Sequence, residues 1–183
     1  MNIENVFSDV LLIKEDNHTD ERGFFSELYN KKIMNEIGIN EIFVQDNLSF
    51  SKNKGTLRGL HFQTPPKAQS KLLRVVSGEI IDYFIDLRKE SKTFEQHGSI
   101  KLIDDSGWLY IPKGFAHGFC TISDDTRVMY KVDDYYSKDN DTGIKWNDEY
   151  LNLKWPFEKN ELIISDKDNN LPKWLEIKEL TGF

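Results

Sequence analysis

An all-β fold, either an antiparallel sandwich or a barrel, is predicted by three features of this sequence. Short alternating or β-branched runs recur between Val10 and Val132. Turn-forming clusters such as Asn53-Lys54-Gly55, Ser77-Gly78 and Asp104-Asp105-Ser106-Gly107 separate them too closely for a crossover helix to fit between most neighbours. Only two segments read as helical, so the sheet must supply the core.

Taken in order, the expected strands are Val10 to Lys14, Phe24 to Tyr29, Ile42 to Leu48, Leu72 to Val76, Ile80 to Leu87, Ser99 to Ile103, Trp108 to Ile111 and Arg127 to Val132. A helix is expected over Lys31 to Ile37, stopped by Gly38, and another after Pro172. From Tyr135 onward the chain is richer in Asp, Asn and Lys, with Trp146, Trp155 and Trp174 as isolated anchors. That stretch holds too little continuous apolar sequence for a core of its own, so residues 1–183 are expected to form a single domain with the last third wrapped around the barrel.

Composition narrows the function. Hydrophobic content of 38% with twelve Phe, seven Tyr and four Trp is ample for a core, and no apolar run approaches the ~18 residues of a membrane span. The N-terminus carries neither a basic segment nor an apolar stretch, so no secretory signal is visible and the cytoplasm is the expected location. The single cysteine, Cys120, excludes an intrachain disulfide and fits a reducing compartment. A net charge of −7 argues against a nucleic-acid partner, whereas an anionic small ligand would need a local cluster of Arg and Lys in one cleft.

Four polar strings interrupt the strand-like sequence: Arg22-Gly23-Phe24-Phe25-Ser26-Glu27, Gln45-Asp46-Asn47, Gly55 to Gln63, and Gln69-Ser70-Lys71. Within the third, a regular strand sends Arg58 and His61 to opposite faces. Only a bulge or bend, for which Gly59 is the candidate, brings both into one pocket. Taken singly, these residues have ordinary explanations: His61 as a hydrogen-bonded core histidine, Arg58 and Lys71 as solvated charges, Tyr130 as a core aromatic.

Joint occurrence overrides those explanations. Pro112-x-Gly114-x-x-His117 resembles the second signature of the cupin jelly rolls, which implies a double-stranded β-helix with short peripheral helices. Metal-binding cupins add a His-x-His pair and a Glu, and neither His18, His61, His97 nor His117 forms such a pair, so no metal and no cofactor is expected. The fuller set of strings resembles the dTDP-4-dehydrorhamnose 3,5-epimerase family over nearly the whole chain. Besides the strings above, it includes Ala68 to Val76, Ile111 to Phe119, Tyr135-Tyr136, Gly143-Ile144-Lys145-Trp146-Asn147-Asp148 and Ser165-Asp166-Lys167-Asp168.

The resemblance implies proton exchange beside the keto group of a nucleotide-linked 4-keto-6-deoxy sugar. It assigns His61 as base, Asp168 as the carboxylate that orients it, Lys71 as the cation facing the enolate oxygen, and Tyr130 as the acid on the opposite side. It puts Arg22, Glu27, Gln45, Asp46, Asn47, Arg58, His117 and Lys167 around the substrate, with Phe25 and Tyr136 sandwiching the base. It also implies a homodimer in which an N-terminal strand joins the partner's sheet and the string around Arg22 and Glu27 reaches the neighbouring site. The product would serve surface-polysaccharide synthesis.

Two departures sit beside Tyr136: Asp141 replaces the family's usual glutamate, and Lys138 stands where a proline is expected. They leave dTDP, GDP and CDP open as the nucleotide, with a GDP-linked heptose as the main variant. A metal-dependent cupin and a non-catalytic sugar-binding jelly roll are the competing classes. Binding alone would require neither His61 nor Tyr130.

Overall fold

The computed structural model describes residues 1–183. The chain opens with β1 (Asn2–Phe7) and β2 (Val10–Lys14), an antiparallel pair, and then a small hairpin of β3 (His18–Asp20) and β4 (Gly23–Phe25). Helix α1 (Lys31–Glu36) starts where the Asn30 side chain accepts from the N–H groups of Lys32 and Ile33, and Gly38 follows it at φ 91°. The main strands are β5 (Gln45–Ser51), β6 (Thr56–Gln63), β7 (Lys71–Ser77), β8 (Glu79–Asp86), β9 (His97–Ile103), β10 (Trp108–Ile111), β11 (Phe115–Thr121) and β12 (Thr126–Val132). Short pieces complete the chain: β13 (Asp141–Gly143), β14 (Ile163–Ile164), α2 (Asp166–Asn169) and α3 (Trp174–Ile177). No helix is long and apolar enough to cross a membrane.

Two sheets face each other. The first has the order β1-β2-β10-β7-β12-β5, and the second β13-β6-β11-β8-β9 with β14 beside β6. Apart from the β8–β9 hairpin, the main strands from β5 to β12 pass from one sheet to the other at every step, the winding of a cupin-like jelly roll. Between the sheets Leu73, Val75, Phe84, Leu109, Phe119 and Val128 form a closed core. Outside the first sheet, α1 and the loop after it cover Ile13, Leu72 and Trp108 with Met34 and Ile39. Outside the second, the last third of the chain lays Leu151 and Trp174 over Leu60, Tyr83 and Ile85. Each such side chain contributes about 1.5–3 kcal/mol by leaving water.

Most predicted strands are present, and the exceptions have physical reasons. The run Phe24 to Tyr29 is a strand only to Phe25, because Asn30 caps the following helix and Glu27 is drawn to it by the Asn30 side-chain amide at 2.9 Å. The run Ile42 to Leu48 becomes β5 only from Gln45, the residue opposite Val132 where its partner strand ends. Strands β1 and β11 were not expected. The first is exposed over its first four residues and half-buried at Val6 and Phe7, and the second is buried at all seven positions, so neither alternates cleanly.

Candidate active site

A cavity of about 390 Å³ opens between the sheets, within the size range of small-ligand sites. The first sheet contributes Ser49, Lys71, Leu73 and Tyr130 to its walls. The second contributes Arg58, His61, Gln63, His117 and Asp141. Tyr136, Ser165, Lys167 and Asp168 close the mouth from the last third of the chain.

Arg58 and His61 share this cavity because β6 carries an extra residue. Against β11, His61 is opposite His117 and Arg58 is opposite Phe119, so a three-residue step on one strand faces a two-residue step on the other. Gly59 makes the bulge at φ 127°, where a side chain is strained. A Cβ there would lie 2.6 Å from the Gly118 Cα and 2.9 Å from the His117 carbonyl oxygen.

His61 meets Asp168 through Nε2, 2.7 Å from Oδ1. An imidazole whose Nε2–H donates to the carboxylate keeps Nδ1 to accept a proton. The other Asp168 oxygen accepts from the Gly59 N–H at 3.1 Å, and Ser165 caps α2, the helix that carries it. Burial works against the Asp168 carboxylate, yet His61, the Gly59 N–H and the Lys167 charge outweigh it and hold its pKa below the ordinary value. Asp168 therefore remains an anion.

Lys71 donates to the His61 carbonyl at 3.2 Å. Burial lowers its ammonium to about 8, with Asp82 and Asp141 opposing the fall. On β12, burial raises the Tyr130 phenol, with Arg58 opposing, so the hydroxyl keeps its proton at neutral pH. His117 meets the buried Asp82 at 2.8 Å, and burial lowers its pKa against the pull of that carboxylate.

At the mouth, Lys167 donates to Asp141 at 2.5 Å and the Tyr136 hydroxyl donates to the same oxygen at 3.3 Å. This shorter carboxylate thus ties together two of the expected substrate contacts. The pair raises the Lys167 pKa, chiefly through that hydrogen bond.

Nine of the fifteen residues singled out from sequence line the cavity: Arg58, His61, Lys71, His117, Tyr130, Tyr136, Asp141, Lys167 and Asp168. The other six do not line it within one chain. Arg22 and Phe25 stand exposed on the β3–β4 hairpin, Arg22 paired with Asp20, and Glu27 holds Asn30. Asp46 points to the opposite face of β5 and pairs with Lys131 at 2.8 Å. Gln45 and Asn47 share the inward parity of Ser49 but lie beyond the lining. Ser49, Gln63, Gln69 and Ser165 were missed as lining residues. The parity of Gln45 and Asn47 pointed to Ser49, and the other three lie within quoted strings. Asp82, beneath the floor, had no signal beyond its place in an apolar strand.

A family model described as dTDP-4-dehydrorhamnose 3,5-epimerase matches residues 4–176. A protein of that name from Shigella flexneri is 44% identical over 176 residues, covering 95% of this chain and 96% of its own. The crystal structure of a dTDP-4-dehydrorhamnose 3,5-epimerase from Bacillus anthracis with TDP and PPi bound aligns with a TM-score of 0.89 at 51% identity, covering 93% of this chain and 97% of that one. A dTDP-6-deoxy-D-glucose-3,5-epimerase from Legionella pneumophila, in complex with dTDP-4-keto-L-rhamnose, aligns with a TM-score of 0.88 at 38% identity over 98% and 93% of the two chains.

Proposed function

The chain belongs to the dTDP-4-dehydrorhamnose 3,5-epimerase family, and from that membership we infer that it is a carbohydrate epimerase that inverts C3 and C5 of a dTDP-linked 4-keto-6-deoxy sugar. One observation carries the reading. His61, tied to Asp168, and Tyr130 stand on strands of opposing sheets and line the same cavity.

The 4-keto group acidifies the hydrogens on C3 and C5, so inversion requires removal of a proton from one face and its return to the other. In this reading His61 accepts the proton at Nδ1 while Asp168 stabilises the imidazolium. The carbanion is delocalised onto the keto oxygen as an enolate, and the Lys71 ammonium neutralises it in a partly dry site. Tyr130 delivers a proton from the opposite wall. Arg58 and Lys167 supply the positive charge for the diphosphate, Arg58 through its planar fork. Every step is a proton transfer, so the reaction requires no redox partner.

Tyr136 supplies one aromatic face for the base. The other comes, in our reading, from Phe25 of a second copy, which makes the working unit a homodimer. The support is the β3–β4 hairpin, whose Phe24 and Phe25 are each 70% exposed beside Arg22. A buried, unpaired Cys120, pushed up to about 12 by burial, suits a reducing cytoplasm, and a 6-deoxy-keto product suits later reduction for a surface polysaccharide.

The test is direct. The purified protein is incubated with dTDP-4-keto-6-deoxyglucose, the products are trapped by borohydride reduction and the sugars identified, with GDP- and CDP-linked analogues in parallel. Inverted sugar from the dTDP substrate supports the reading. Inversion confined to another nucleotide would reassign the substrate, and none on any of them would remove the activity.

A further inference from the structure

Beneath the cavity floor, Asp82 of β8 is fully buried, and one of its oxygens lacks any hydrogen-bond partner. Its other oxygen meets His117 Nε2 at 2.8 Å, and its backbone is paired with Phe119 of β11. A buried carboxylate with an empty oxygen costs several kcal/mol unless a positive charge answers it. Burial raises the pKa of the Asp82 carboxyl, and the cations that oppose the rise are His117, through charge and hydrogen bond, and then Lys71. His117 is itself buried, and desolvation lowers its pKa. The lasting counter-charge is therefore Lys71.

We propose that Asp82 is a positioning residue: it fixes the His117 ring with one oxygen and, with the unpartnered one, acts as the buried anion that keeps Lys71 an ammonium facing the keto oxygen. This rests on the electrostatic role given to Lys71 above and extends it to a residue outside the cavity. Lys71 shares the cavity wall with His117 on β11, His61 on β6, Tyr130 on β12 and Asp141 on β13, and the carboxylates whose charge acts on it are Asp82 on β8 and Asp141. Both oxygens of Asp168 are engaged, by His61 and the Gly59 N–H, and Asp141 is tied at the mouth by Lys167 and Tyr136 through one oxygen; Asp82 is the carboxylate among them whose unpartnered oxygen is buried.

Two measurements test this. In the first, kcat/KM is followed against pH for the wild type, Asp82→Asn and Asp82→Glu. The wild type should lose activity above about 8. Asp82→Asn should move that limb to lower pH by about one unit, the low end of what one opposite charge does, and Asp82→Glu should restore most of it. An unmoved limb in a folded Asp82→Asn enzyme overturns the proposal. The second needs no variant to fold: in wild-type protein with 13C-labelled aspartate carboxyls, the Asp82 signal should be that of a carboxylate at pH 7 and should shift again near pH 8 as Lys71 loses its proton. A neutral-acid signal at pH 7, or no step near 8, overturns it equally. Failure of the epimerase reading would instead appear as no turnover by the wild type, and the carboxyl signal still decides the role of Asp82.

Discussion

In the proposed mechanism the catalytic burden falls on a few side chains of the cavity wall. His61→Asn, which removes the base, is expected to lower kcat about 10²–10⁴-fold, measured by product trapping. Asp168→Asn should cost a comparable factor because the imidazole loses its orienting carboxylate, while thermal stability stays near that of the wild type. Lys71 gives a pH signature. Its pKa in the fold lies below its ordinary value, so the ammonium is present below about 8 and lost as pH rises through it, and kcat/KM should fall with unit slope on that side. His61, Lys71 and Asp168 were legible because they stand in strings of a recognisable order, whereas Tyr130 lies in none of them and was named through the resemblance alone. Asp82 was not legible, since its importance arises from which neighbours the strand register brings to it, and a single strand sequence does not state that.

Among the elements, β6 decides whether the site exists. Gly59→Ala would push a Cβ against β11 and force a strained φ, so the bulge must shift and Arg58 or His61 leaves the cavity. A loss of about 1–3 kcal/mol in denaturant unfolding is expected, with activity falling further than stability explains. The sequence made the conflict between Arg58 and His61 visible through strand parity, and named Gly59 as its remedy. Strand β12, with one buried face, was found at nearly its true limits, and so was β10, whose four buried residues form an unbroken apolar and aromatic run. The fully buried β11 escaped because it neither alternates nor forms an unbroken apolar run, His117 and Gly118 interrupting it, and β1 because its four exposed residues are followed by two adjacent half-buried ones, Val6 and Phe7. Helix α2, four residues long with three Asp or Lys positions, carries no apolar rhythm at all, yet it delivers Asp168.

For the whole molecule, two opposed sheets make a cavity that can touch both faces of a sugar ring, which a single sheet could not do. The exposed hairpin and its aromatic side chains predict that the protein sediments as a dimer, and that Phe25→Ala weakens dTDP binding about tenfold while leaving the dimer intact, read by sedimentation and calorimetry. The central claim is that proton removal and return use opposite walls of one cavity. Proton NMR in heavy water tests it most directly, with dTDP-4-keto-6-deoxyglucose and wild-type, His61→Asn and Tyr130→Phe enzymes compared. The wild type should exchange the hydrogens of both C3 and C5 for deuterium. His61→Asn should exchange neither, and Tyr130→Phe should still exchange while yielding less inverted sugar. Undisturbed hydrogens with the wild type, or exchange that survives the loss of His61, would contradict it.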